Sequence, residues 1–157
     1  MSQELNPPMQ SPAKSLESQE QGVAAGTRRP ILCLDFDGVI HSYASGWNGA
    51  AFIPDPPVPG AIEFLWEAIT LFEVHIFSSR SNQPGGIDAM RTWLAAWDNQ
   101  YWEKRGDRPA PRTCLVLCVH FPTEKSPAHV SLDDRCLLFT GTWPAMETLK
   151  EFKPWNK

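Results

Sequence analysis

The sequence predicts an α/β three-layer sandwich with a mainly parallel, five-stranded sheet. Two observations carry that expectation. Short apolar runs alternate with segments whose apolar residues recur at helical spacing, the pattern of strands joined by crossover helices. Three of the runs also end in polar or acidic clusters, and ligands of such sheets gather at the carboxyl ends of the strands.

The 157 residues suffice for one domain with its own core, and a hydrophobic content of 42% fits a globular chain. Residues 1–29 are rich in Ser, Gln, Glu, Pro and Gly, so they are expected to be a disordered tail, with the folded domain over 30–157. The first strand is ILCL at 31–34, a continuous apolar run of the kind covered on both faces. Residues 41–57 mix glycines and prolines with aromatics and read as a flap or hairpin. After Pro59-Gly60, Ala61, Leu65, Ala68, Ile69 and Phe72 mark a first helix. A second strand is expected at 74–77. A second helix follows, carrying Ile87, Met90, Leu94, Trp97 and Tyr101, and then a polar loop over 105–112. Further strands are expected at 114–119, 130–132 and 136–139, and a closing helix at 142–152 with Met146 and Leu149 facing inward. Trp66, Trp93, Trp97 and Trp102 are assigned to helix and core contacts.

A net charge of −4 argues against a broad basic face for nucleic acid. No apolar run reaches membrane-spanning length and no leader pattern is visible, so a cytoplasmic protein is expected, without membrane partners. Cys33, Cys114, Cys118 and Cys136 form no CxxC pair and read as buried thiols of a reducing compartment.

The polar clusters are Asp35-Phe36-Asp37-Gly38, Ser78-Ser79-Arg80 and Asp133-Asp134-Arg135. Alone, each has an ordinary reading as a turn, a cap or a surface ion pair. A calcium loop starting at Asp35 fails, because its sixth and twelfth positions are Ile40 and Gly46 rather than Gly and Glu. Carboxylates gathered on one rim repel one another unless a cation lies among them, and hard oxygen donors suit Mg²⁺. One aspartate can then attack phosphorus while a second, two residues on, moves a proton. A hydroxyl such as Ser78 and a lysine such as Lys125 can hold the phosphoryl oxygens.

The order Asp35-Phe36-Asp37-Gly38-Val39, Ser78 after VHIF, Lys125 in FPTEKSPAHV and Asp133-Asp134 after HVSL resembles the haloacid dehalogenase superfamily, in particular its Mg²⁺-dependent phosphatases. The resemblance covers most of residues 31–143 and implies a Rossmann-like fold. It implies that Asp35 is the nucleophile and a metal ligand. Asp37 would be the general acid/base and offer its backbone carbonyl to the metal. Ser78 and Lys125 would hold the phosphoryl group, and Asp133 or Asp134 would complete the metal site. Ser79 and Arg80 are further candidates for substrate contact, Arg80 being as readily a surface arginine. His41 reads as structural, Trp47 as packing on the flap, and Arg135 as paired with a neighbouring aspartate. Too few residues are available for a large cap, so a capless member with an open site is expected. It would act on a phosphorylated small molecule or, alternatively, on a nucleic-acid 3′ end. A catalytically silent binding protein using the tail is the reading from a different class. Asp35→Asn and Asp37→Asn are both expected to abolish activity and leave the fold intact.

Overall fold

A computed structural model describes residues 28–107 and 114–156. The expected tail therefore lies outside the described residues except at its end, as does most of the expected 105–112 loop. The strands are β1 (Ile31–Leu34), β2 (Glu73–Ile76), β3 (Val119–His120) and β4 (Val130–Leu132). The helices are α1 (Ala61–Leu71), α2 (Gly86–Arg105), α3 (Leu115–Cys118) and α4 (Met146–Lys150). The strands of the sheet pair in parallel, in the order β3-β2-β1-β4, so among the described residues four strands stand where five were expected.

β1 lies inside the sheet. Leu34 is level with Ile76 on one side and Leu132 on the other. Alternation along the strands sends Leu32, Leu34, Val74, Ile76 and Val119 to one face. There they join Leu65 and Ala68 of α1, Met90 and Leu94 of α2, and Leu115 of α3 in a single buried cluster. Burial of this apolar set, at roughly 25 cal/mol per Å², is the main force holding the helices on the sheet.

The opposite face carries Ile31, Cys33, Glu73, His75, His120 and Ser131. No described helix buries side chains on it, since α4 contributes no buried residue. Among the described residues the architecture is therefore two layers, not three. The sequence of β2, EVHI, shows the cause: it alternates polar with apolar, as a strand covered on one face does.

Three other expectations change. The apolar run at 114–119 divides into one helical turn, α3, and the two-residue β3. The buried Asp98 carboxylate accepts hydrogen bonds from the Leu115 backbone N–H (3.2 Å) and from Trp66 Nε1 (2.9 Å), anchoring this turn against α2. Residues 136–139 are exposed and outside any strand, because apolar composition alone supplies no pairing register. The closing helix shrinks to Met146–Lys150, with Met146 and Leu149 exposed rather than inward. Of the four cysteines only Cys33 is buried; Cys114 and Cys118 are half-buried and Cys136 is exposed, and no disulfide joins them. No helix among the described residues is long and apolar enough to cross a membrane.

Candidate active site

Each acidic cluster starts where a strand runs out. The Asp35 N–H extends the β1–β4 ladder by donating to the Leu132 carbonyl (2.9 Å), which levels Asp35 with the start of the Asp133-Asp134 turn. Asp35, Asp133 and Asp134 each bring one carboxylate oxygen within 4.8 Å of the others. Burial pushes Asp35 up to about 7. The negative charges of Asp133, Asp37 and Asp134 add to the rise, and a hydrogen bond from the Phe36 backbone opposes it.

Asp134 is also raised, first by burial. Both of its carboxylate oxygens are buried and lack a hydrogen-bond partner on another residue. An unsatisfied Asp134 beside two further carboxylates that repel it is a donor set that a hard divalent cation would complete, and the trio could hold one.

Gly38 makes the approach of Asp134 possible. Its φ is +96°, and a Cβ there would lie 2.5 Å from Asp134 Oδ2. Its carbonyl accepts the Trp155 indole N–H at 2.9 Å, which ties the C-terminal segment to the same turn. Gly38→Ala is expected to destabilise the protein by about 1–3 kcal/mol and to weaken divalent-cation binding. A denaturant titration and a Mg²⁺ titration of the same variant would check both effects.

Ser78, two residues beyond the end of β2, is buried, and its hydroxyl lies 3.5 Å from Asp37 Oδ2. A cavity of about 180 Å³ is lined by Asp35, Asp133, Ser78, Ser79, Lys125 and Cys33, among others. Lys125 reaches it from the exposed segment before β4. The nucleophile candidate, one metal-ligand candidate, the hydroxyl and the lysine thus share one small cavity, although they come from four separate parts of the chain.

Asp37 and Arg80 stand apart from that cavity. The Arg80 side chain is fully buried, so it is not a surface arginine. Its Nε and Nη2 donate to Asp37 Oδ2 (2.7 Å) and Oδ1 (3.0 Å). Nη1 donates to the flap carbonyls of Gly49 (2.8 Å), Ala50 (2.8 Å) and Phe52 (3.1 Å). The Trp47 ring is exposed on the flap and lies 4.7 Å from the Arg80 guanidinium carbon, so it meets Arg80. Arg80 is directed to Asp37 and the flap rather than to the cavity.

His41 is fully buried, with Nδ1 2.9 Å from Asp37 Oδ1. Phe36 stacks on its ring and Trp93 meets it edge-on. Burial raises the Asp37 pKa, but the hydrogen bonds from His41 and Arg80 outweigh it and hold the carboxyl below its usual range. The flap itself is a closed loop rather than a hairpin. Bridges Asp37–His41 and His41–Pro57 join its ends, and Asp55 accepts hydrogen bonds from the Ser45 backbone and hydroxyl. Arg135 places its guanidinium 5.9 Å from the Tyr43 ring, and its backbone N–H donates to Asp133 Oδ1.

The sequence reading missed the flap-stapling role of Arg80. Its signal is a single arginine beside a chain of backbone carbonyls that only the folded flap brings together. Comparison with family models, curated proteins and solved structures returned no match to this chain.

Proposed function

We propose that the protein is a Mg²⁺-dependent phosphomonoester hydrolase acting through Asp35. The observation that carries this reading is the convergence of Asp35, Asp133 and Asp134 within 4.8 Å at a cavity that Ser78 and Lys125 also line. Asp35, Asp133 and Asp134 would hold the cation. When bound, it neutralises their charge and that of the phosphoryl group.

A carboxylate oxygen of Asp35 attacks phosphorus, and the bond from phosphorus to the ester oxygen breaks. The leaving oxygen takes its proton from solvent, because Arg80 and His41 hold Asp37 as the carboxylate. Water then attacks the aspartyl-phosphate and gives a proton to Asp37, which passes it to solvent. Phosphate departs and the Asp35 carboxylate is restored. Ser78 and Lys125 bind and orient the phosphoryl oxygens. Arg80 and His41 position Asp37 without touching substrate. Their contacts favour its carboxylate form, the one needed to take a proton from water.

The test is a panel of phosphate esters that includes small-molecule monoesters and a 3′-phosphorylated oligonucleotide, assayed for phosphate release with Mg²⁺ and with chelator. Mg²⁺-dependent release is expected, and the preferred ester separates a small-molecule enzyme from an end phosphatase. Absence of turnover on the whole panel, together with no Mg²⁺ binding, would leave the fold as a binding protein.

A further inference from the structure

A second cluster of metal-binding side chains lies on the uncovered face of the sheet, toward the opposite end of β2 from Ser78. The parallel register sets His75 of β2 beside His120 of β3, with ring centroids 4.9 Å apart. Glu73 lies two residues before His75 and projects on the same face. Glu73 Oε1 is 3.1 Å from His75 Nε2 and 3.9 Å from His120 Nε2. One ligand atom from each of the three lies within 4.8 Å of the others. Donors bound tetrahedrally to Zn²⁺ at about 2.0–2.1 Å stand roughly 3.3 Å apart, so small side-chain rotations close this set on a cation.

The surroundings are those of a ligand set. His75 Nε2–H donates to Glu73 Oε1 at 3.1 Å, and Nδ1 lies 2.6 Å from Ser126 Oγ, which can accept the Nδ1 proton once a cation takes Nε2. The Arg28 Nε lies 3.4 Å from Glu73 Oε2, leaving Oε1 to face the imidazoles. His120 is exposed and gives a cation its way in. A plain Glu73–His75 ion pair would need neither His120 nor Ser126.

We propose that Glu73, His75 and His120 form a second divalent-cation site selective for a transition metal of the Zn²⁺ type. Two imidazoles and one carboxylate suit such an ion and not Mg²⁺, which prefers oxygen donors. His120 and Ser126 flank the segment that bears Lys125. A cation here clips the two-residue edge strand β3 to β2 and fixes both ends of that segment.

The test is calorimetric titration of the full chain with Zn²⁺ in excess Mg²⁺. One tightly bound equivalent that Mg²⁺ does not displace is expected in the wild type and in Asp133→Asn. His120→Ala, a change at an exposed position, should weaken it by well over about tenfold, and Ser126→Ala by about tenfold. Co²⁺ in place of Zn²⁺ should give ligand-field bands without a thiolate charge-transfer band. Equal Zn²⁺ uptake by wild type and His120→Ala would overturn the proposal. So would a thiolate band, which would assign the cation to the cysteines.

Discussion

Asp35→Asn is expected to lower metal-dependent phosphate release by at least about 10³-fold while stabilising the metal-free protein at pH 8. The two effects share one cause. Burial and three neighbouring carboxylates raise Asp35 to about 7, so the folded state without a cation favours the protonated form. Below the unfolded value near 4, both states carry the proton and the side chain contributes no penalty. Between that value and about 7 the unfolded chain releases the proton while the fold retains it, and stability falls. Above about 7 the penalty is fully present. A neutral asparagine removes it, by something on the order of 1–3 kcal/mol after allowance for partial exposure. The same proton competes with the cation. Mg²⁺ affinity of the wild type should therefore weaken by up to about tenfold for each pH unit below 7 and level off above it. Chemical denaturation at pH 4 and pH 8, with and without Mg²⁺, separates these effects. A mutant less stable than wild type at pH 8 without metal would show that Asp35 holds the fold rather than strains it.

The part of this arrangement that was legible in the sequence is the part written in local pattern. The run ILCL followed by Asp35 and Asp37 specifies a strand delivering two carboxylates to its end, and that is where they lie. Ala61, Leu65 and Ala68 mark the inward face of α1, and Met90 and Leu94 that of α2. Ser78 and Asp133 reach the Asp35 cavity because parallel strands carry their carboxyl ends to one side, and Lys125 joins them from the segment before β4. What stayed hidden depends on contacts between distant segments. Asp98 looks like one more polar residue on a helix, yet it is buried and anchors the turn at Leu115. The partnership of His75 with His120 exists only through the β2–β3 register, with 44 intervening residues giving no sign of it. The uncovered sheet face was hinted at by the alternation in EVHI, but an apolar β1 suggested burial on both sides.

Arg80→Met should destabilise the protein by about 3–5 kcal/mol, a large fraction of the stability of a domain this size, and Asp37→Asn by a similar amount. The second result departs from the sequence expectation that Asp37→Asn leaves the fold intact. The geometry gives the reason. Arg80 is fully buried, and its charge is matched by the two Asp37 oxygens at 2.7 and 3.0 Å. Replacing either partner leaves the other charge buried with only weaker partners, His41 for Asp37 and the flap carbonyls for Arg80, which costs more than the pair gains by forming. Arg80→Met also strands the carbonyls of Gly49, Ala50 and Phe52, so the flap should open to proteolysis before the sheet unfolds. Arg80→Lys retains the charge but not the planar fork, and is expected to recover only part of the loss. The double variant Arg80→Met/Asp37→Asn should be less destabilised than the sum of the single changes, because the second substitution removes the charge stranded by the first. Denaturant titration of the wild type, Arg80→Met, Asp37→Asn and the double variant closes the cycle. Strict additivity would mean that the two side chains do not stabilise one another, and Asp37 would then be free to serve the proton transfer alone.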